Sequence, residues 1–355
     1  MAGGRVIDIT YVPVIANTHP KNLSIYQFYY LYGFDRIGHS VRFPWNRFGI
    51  SYRIRSSQLG KRLIRNRFDL VQSADGSIGL GEVATYVLRT DGVAIKFAID
   101  ASDHAHIVSE RAYDWCDVYF KGTKWENRPY PAKVRPLVFG HNYMTRALFE
   151  KLKALRHAPK TVDLVFVNRL LGGAEHNVRL FETLAAVKCR KTLMCIAYGH
   201  ESPEHLARLR AAGVTVRPWI NQNAFWDAMA KGRLAFIRSG RSLCIPWKMS
   251  ALLCLGATTV FDDRPRPNWP VPLEPGRHYI NCDLQLPDER GSEERLAQID
   301  YAKVTSAVEM ALGDETLVTD IARASAEYFD RYAAPECVAE YIIAECRQSV
   351  SAATA

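Results

Sequence analysis

No stretch of the 355-residue chain approaches the roughly 18 consecutive apolar residues that a membrane-spanning helix requires. The first residues also lack a basic segment followed by a long apolar one, which is the pattern of a secretory leader, so the chain is expected in the cytoplasm. Eight cysteines, at 116, 189, 195, 244, 254, 282, 337 and 346, form no CxxC pair and keep no metal-ligand rhythm. Several fall in apolar segments, which points to buried reduced thiols and away from the disulfide framework of a small secreted domain. Neither an internal repeat nor a low-complexity tract stands out. Zinc-finger, RRM and basic-zipper patterns are missing as well, so nucleic acid ranks low among the expected partners.

What the chain does have is apolar bulk and positive charge. With 48% hydrophobic and 11% aromatic residues it can bury a sizeable core and fill two domains of ordinary size. Its formal net charge of +9 favours acidic partners, such as nucleotide diphosphates or an anionic membrane face. The charge is densest where Arg53, Arg55, Lys61, Arg62, Arg65 and Arg67 alternate with Tyr52, Ile54, Leu59, Leu63, Ile64 and Phe68. That run reads either as a solvated basic helix face or as a surface for anionic lipid or a phosphate-bearing acceptor, with peripheral contact at the inner membrane face as the corresponding expectation. Nucleic-acid binding through the same run is a third reading, and it predicts affinity that falls steeply with salt.

Two halves are legible along the chain. In the first, strands are expected at Arg5 to Val14, Ile95 to Ile99 and Cys116 to Phe120, an aromatic-rich helix or strand at Leu23 to Leu31, and a helix at Asn142 to Ala158. Pro159-Lys160 then marks a boundary. The second half alternates more regularly: strands at Val162 to Val167, Thr192 to Ala197, Val214 to Pro218, Leu234 to Ile237 and Ala257 to Phe261, separated by helices at Glu175 to Val187, Pro203 to Ala212, Asn223 to Lys231 and Pro246 to Leu255. This is the pattern of a parallel sheet covered by helices. The domains are therefore expected at 1–158 and 159–333, with a last helix over 334–355 whose apolar stripe (Val338, Tyr341, Ile342, Ile343) suits it to pack on the first.

Ligands of such sheets sit at the carboxyl ends of the strands, so Asn168-Arg169, Ser239 to Ser242 and Asp262-Asp263 should converge on one crevice. The stretch from Leu234 to Cys282 carries most of that expectation. An apolar strand delivers a turn of glycine, hydroxyls and cations (Arg238-Ser239-Gly240-Arg241-Ser242) to a helix opened by Pro246 and bearing Lys248, a composition suited to phosphate.

These passages resemble a glycosyltransferase of the GT-B type. The run from Val165 to Gly173 is similar to the first strand, arginine loop and helix of the GT-B donor domain. The run from Gly240 to Ala257 resembles a passage of the exostosin-like and capsule-associated glucosyltransferase or xylosyltransferase families, and Pro272 to Ile280 is similar to the Leu-x-Pro-x-x-His-Tyr-Ile stretch of the second of those. The resemblance implies an α/β fold of two Rossmann-like domains with a nucleotide site in the cleft between them. It also implies transfer of a sugar from a nucleotide-diphosphate-sugar donor to a hydroxyl-bearing acceptor, whether a glycan, a lipid-linked sugar or a small molecule, with no cofactor and no metal in the chemical step. Lys248, Arg241 and Arg169 would then hold the diphosphate, with Ser239, Gly240 and Ser242 adding hydroxyl and backbone contacts.

One departure changes the expected chemistry. Many GT-B enzymes carry a glutamate for the donor ribose five residues before the helix-ending glycine, and this chain has Ala251 there. The ribose contact falls to Asp262 or Asp263, and direct displacement with inversion is preferred over retention. Loss of transfer chemistry on a retained nucleotide- or polyanion-binding fold is the alternative that the same departure allows. Inversion needs a general base for the acceptor hydroxyl. Asp103 is the first choice and Asp100 the second, because both follow an apolar strand, with His104 and His106 as further partners. The competing reading is that Ser102 or Asp103 caps a helix over His104 to Arg111. Trp269-Pro270 and His278-Tyr279 are expected to flank the donor site, where an aromatic ring could stack on base or sugar or simply pack the loop.

Overall fold

A computed structural model of the chain describes residues 7–12, 14, 25–39, 41–42, 82–141, 144–170, 174–287 and 296–354. Its strands are β1 (Asp8–Tyr11), β2 (Val83–Thr90), β3 (Val93–Asp100), β4 (Val118–Lys121), β5 (Val134–Pro136), β6 (Val162–Arg169), β7 (Lys191–Ile196), β8 (Thr215–Arg217), β9 (Gly232–Ile237), β10 (Thr258–Phe261) and β11 (Ile280–Asn281). Its α-helices are α1 (Phe28–Arg36), α2 (Glu110–Trp115), α3 (Arg146–Leu155), α4 (Ala174–Ala186), α5 (Pro203–Ala211), α6 (Gln222–Ala230), α7 (Lys248–Cys254), α8 (Ala302–Gly313), α9 (Glu315–Tyr328) and α10 (Pro335–Thr354). Two α/β units of Rossmann-like layering result. The first comprises Met1–Leu148, Pro267–Pro272 and Arg331–Ala355, and the second Phe149–Arg266 and Leu273–Asp330. The division falls inside α3, upstream of the residue 158 expected from the sequence. The basic run over 53–67 lies outside the described residues.

The first unit is built on a five-stranded sheet of order β1-β2-β3-β4-β5. Strands β3, β4 and β5 run parallel, whereas β1 and β2 pair antiparallel at the other side. Asp91 and Gly92 close the β2–β3 hairpin with φ of 53° and 79°, the left-handed geometry that a two-residue hairpin turn requires. Alternation along β3 splits its side chains between two faces. Ala98 joins Val83, Ala112, Tyr119 and Val134 in one cluster with α2. Phe97 stacks on Tyr86 at 5.1 Å and meets Phe34 of α1 edge-on at 6.3 Å. Phe120 of β4 touches Tyr341 of α10, with centroids 6.0 Å apart.

The second unit holds a fully parallel six-stranded sheet of order β11-β10-β9-β6-β7-β8. From β6 the chain steps outward to β7 and β8, then returns to lay β9 beside β6 and steps the opposite way to β10 and β11. The reversal creates a switch point between β6 and β9, where the two connections leave the carboxyl edge in opposite directions and open a crevice. Leu164, Phe166, Leu234 and Phe236, alternate residues on those two strands, pack with Phe181 and Leu184 of α4 and Val304 and Val308 of α8. Phe166 lies 4.4 Å from the Phe181 ring and 5.2 Å from that of Phe236.

No helix among the described residues is long and apolar enough to cross a membrane. Helix α10 rests on α1 through a close approach at Gly33, where a Cβ would stand 2.0 Å from the Pro335 carbonyl oxygen and 2.7 Å from its carbon. Backbone atoms cannot swing aside as a side-chain tip can. Gly33→Ala should therefore force the two helices apart at a cost of about 1–3 kcal/mol, read as a lowered urea midpoint with an unchanged slope.

Candidate functional site

The carboxyl edge of the parallel sheet gathers charge at its switch point. Asn168 and Arg169 close β6, and Arg238 and Ser239 come directly after β9. Register places Val165 opposite Ala235, so the ends of both strands reach this edge together. Lys248, the first residue of α7, points its amine back at β6, where Nζ lies 3.5 Å from the Val167 carbonyl oxygen and 3.3 Å from Asn168 Oδ1. Only 9% of the lysine is exposed, and among the described residues no carboxylate closes on it within salt-bridge distance. Burial, with help from the Arg238 and Arg169 charges, pushes the amine down to about 7 against a weaker opposing pull from Asp262. A desolvated ammonium with only neutral acceptors around it is an uncompensated charge, and an anion is what would compensate it.

The turn that carries Ser239 toward α7 is tightly constrained. Gly240 donates its N–H to the Cys244 carbonyl at 2.9 Å. A Cβ on Gly240 would stand 2.2 Å from Cys244 Sγ, so a side chain there would force the buried thiol to move. Ser242 and Leu243 both adopt left-handed backbone, at φ of 51° and 47°, a conformation that costs side-chain-bearing residues of order 1 kcal/mol or more each. It persists because Leu243 is buried in the sheet's core and its carbonyl accepts from Arg266 N at 3.0 Å. Arg241 opens this turn, and its side chain lies outside what the structure describes. The helix expected from Pro246 begins at Lys248.

Both aspartates after β10 are consumed by the protein itself. Asp262 is fully buried; its Oδ1 accepts from Ser239 N at 2.8 Å, Ser239 Oγ at 2.7 Å and Asp263 N at 2.9 Å. Its Oδ2 accepts from His176 Nε2 at 3.0 Å. Asp263 accepts from Arg264 N at 2.9 Å and Leu286 N at 2.7 Å, and burial raises its carboxyl above the usual range. The two carboxylates expected to meet the ribose thus each accept hydrogen bonds from within the protein, and the Ser239 hydroxyl spends its proton on Asp262. His176 and Asn177, neighbours in the first turn of α4, carry no motif that singles them out in the sequence. His176 holds Asp262, and Asn177 Oδ1 accepts from Asn168 Nδ2 at 3.0 Å.

The aromatic positions also differ from expectation. Trp269 and Tyr279 are buried to 1% and 2% exposure, so the loop-packing alternative describes them. Exposed rings at this edge of the sheet are Tyr198 and Trp219, at 39% and 66% exposure, just past the ends of β7 and β8. Arg169 lies over the Tyr198 ring, 4.7 Å from its centroid. Ile196 pairs with Arg217, so these two aromatics leave the sheet at the same level, each two residues beyond that pair.

In the first unit, Asp100 and Lys121 end the parallel neighbours β3 and β4 and face each other across the register. Lys121 Nζ and Tyr119 Oη each reach Asp100 Oδ2 at 2.8 Å, and Ser102 N donates to Oδ1 at 3.0 Å. Both charges are fully buried. Asp100, the second choice of base, thus anchors an internal ion pair. Asp103 is half-buried in the irregular segment just beyond. The helix expected over His104 to Arg111 starts later, at Glu110, and its cap is Ser109, which accepts from Ala112 N at 3.2 Å. His104 and His106 place their rings 5.0 Å apart in the same segment.

No protein-family model matches the sequence, and no curated protein sequence does. Solved structures similar to it include MurG of Acinetobacter baumannii, 12% identical over 70% of this chain and 66% of that one, with a TM-score of 0.40. HepE of Anabaena in complex with UDP is 11% identical over 68% of this chain and 66% of its own, with a TM-score of 0.46. WaaG, a glycosyltransferase involved in lipopolysaccharide biosynthesis, is 13% identical over 60% of this chain and 57% of its own, with a TM-score of 0.37. The chain spans no more than about two thirds of the length of any of the three.

This geometry makes two outcomes testable. Lys121→Met leaves the Asp100 charge buried without its counter-ion and should lower stability by about 3–5 kcal/mol in chemical denaturation, with part of the loss recovered by adding Asp100→Leu. At the switch point, an anion beside Lys248 restores its charge, so binding takes up a proton. Affinity for a diphosphate, measured by titration calorimetry, should fall as pH rises above about 7, by up to about tenfold per pH unit, and Lys248→Met should flatten that dependence.

Proposed function

We propose that this chain is a glycosyltransferase that moves a sugar from a nucleotide-diphosphate-sugar donor to a hydroxyl-bearing acceptor, with inversion and without a metal in the chemical step. The observation that carries this reading is the buried Lys248 amine at the β6–β9 switch point, with the Arg169 and Arg238 charges close enough to depress it and no carboxylate among the described residues paired with it. As the bond from the sugar to the diphosphate breaks, negative charge grows on the leaving oxygen. Preorganised cations out of bulk water stabilise that charge more in the transition state than in the ground state. Lys248, Arg169 and Arg238 supply this, with Gly240 and Ser242 shaping the turn beside them. Arg241 adds a further cation in the same turn. Asp103 is the proposed base, taking the acceptor hydroxyl's proton as that oxygen attacks the anomeric carbon. Tyr198 and Trp219 offer their rings to the nucleoside. The acceptor is proposed as a glycan, a lipid-linked sugar or a small molecule, with peripheral contact at the inner face of a membrane as its setting.

A second reading, nucleotide binding without transfer, draws on Ala251, whose buried methyl stands where the resembling enzymes carry the ribose-binding glutamate. One set of measurements separates the two. Thermal shift against uridine, guanosine, thymidine and cytidine diphosphates should pick out one nucleotide, because a ligand of the native state alone raises its melting temperature. Trp219→Ala should weaken that nucleotide by about 1–3 kcal/mol while leaving inorganic pyrophosphate unaffected. Lys248→Ala should weaken both, and Asp103→Asn should abolish sugar transfer with donor binding intact. Transfer that survives Lys248→Ala and Asp103→Asn unchanged would remove the catalytic reading.

A further inference from the structure

Strands β10, β9 and β6 are neighbours in the sheet, and a single run of hydrogen bonds ties together the segments at their carboxyl ends. Asp262 comes from the end of β10, Ser239 from the end of β9, and His176 from the first turn of the helix after β6. Asp262 takes both the backbone N–H and the hydroxyl of Ser239 on one oxygen and His176 Nε2 on the other. All three residues are fully buried. On its far side, His176 Nδ1 lies 2.8 Å from the hydroxyl of Tyr301, which is half-buried just ahead of α8.

The Asp262 carboxylate accepts at both oxygens, so His176 donates to it from Nε2. In the neutral ring Nδ1 is then an acceptor, and the Tyr301 hydroxyl donating to it favours that tautomer. Ser239 has no donor left for a ligand. Its role is to be held, and what it holds in turn is the start of the strained turn through Gly240, Ser242 and Leu243. Left-handed backbone at two consecutive side-chain-bearing residues is kept only where its surroundings over-determine it. Residue 177 serves the opposite wall of the crevice. Asn168 must offer Oδ1 to Lys248, so its amide donates to Asn177 Oδ1. The first turn of α4 thereby sets both the loop after β9 and the partner of the lysine.

We infer that His176 is a positioning residue: through Asp262 and Ser239, with its tautomer set by Tyr301, it holds the 239–243 turn in the shape that binds a diphosphate. The inference rests on the function proposed above for the binding half of its test, but the holding of the turn stands independently of it.

The test combines backbone amide exchange over 238–244 with calorimetric binding of inorganic pyrophosphate, in His176→Leu, His176→Gln and Tyr301→Phe. His176→Leu should deprotect the 238–244 amides while those of β6 remain protected, and should weaken pyrophosphate about tenfold, equivalent to about 1.4 kcal/mol. Gln, which can still present an N–H toward Asp262, should recover most of both losses, and Tyr301→Phe should move both in the same direction as Leu by a smaller amount. In an assay of sugar transfer the loss should appear in the donor KM more than in kcat, a split that general destabilisation does not produce. If His176→Leu loosens β6 as well, Tyr301→Phe decides the question. Protection and affinity that remain at wild-type levels in both His176→Leu and Tyr301→Phe would overturn the inference. Deprotection of the turn in a protein whose wild type takes up no pyrophosphate would leave His176 in its role and overturn the diphosphate reading instead.

Discussion

A lysine amine with no carboxylate partner among the described residues, buried where a parallel sheet reverses its winding, is the constraint around which the second unit is organised. Desolvating an ammonium is costly, and Asp262 does not offset that cost by pairing with it, although it lies near enough for its charge to be felt at Lys248. The carboxylate is instead committed to Ser239, Asp263 and His176. The result is a switch point with several positive charges near it and a fully buried negative charge held within the protein. Such separation of a lysine from a nearby structural carboxylate is what the proposed anion site demands, since a carboxylate free to swing onto the lysine would compete with the ligand.

The same economy appears in the first unit with the opposite outcome. There Asp100 and Lys121 also end neighbouring parallel strands at a carboxyl edge, yet they are paired with each other and further satisfied by Tyr119 and Ser102. A closed pair of that kind supports the segment after β3 and leaves Asp103, His104 and His106 as the polar groups beyond it. The two edges carry one arrangement, charged residues just past parallel strands, with the lysine paired to a carboxylate at one edge and, among the described residues, not at the other.

Rigidity in the crevice comes from several weak sources acting at once. Glycine at 240 allows the chain to pass against Cys244, the buried Leu243 clamps the left-handed pair, and the Asp262 carboxylate draws in the backbone at Ser239. None of these groups need touch a ligand. Their effect is to remove conformational freedom before binding, so that less is lost when a ligand arrives.

Much of this was legible in the sequence because it is local. Alternating apolar runs and helical stretches marked out the parallel unit almost strand for strand, and the placing of Asn168-Arg169, Arg238 to Ser242 and Lys248 at carboxyl ends comes from chain direction alone. The Asp91-Gly92 turn carried a hairpin signal that could have announced β2, and Ser109 ahead of Glu110 was available as the true helix cap. What the sequence could not supply was partnership across long separations. The partners of Asp262 are invisible until His176 and Ser239 are beside it, those of Asp100 until Lys121 faces it, and the burial of Trp269 until its loop is packed. Periodicity and composition, which act over a few residues, determined the α/β class, the basic character and the candidate cations. The tertiary fold decided which charges are paired and which are left open, because hydrogen bonds between residues 23, 86 or 125 positions apart exist only once the chain has closed on itself.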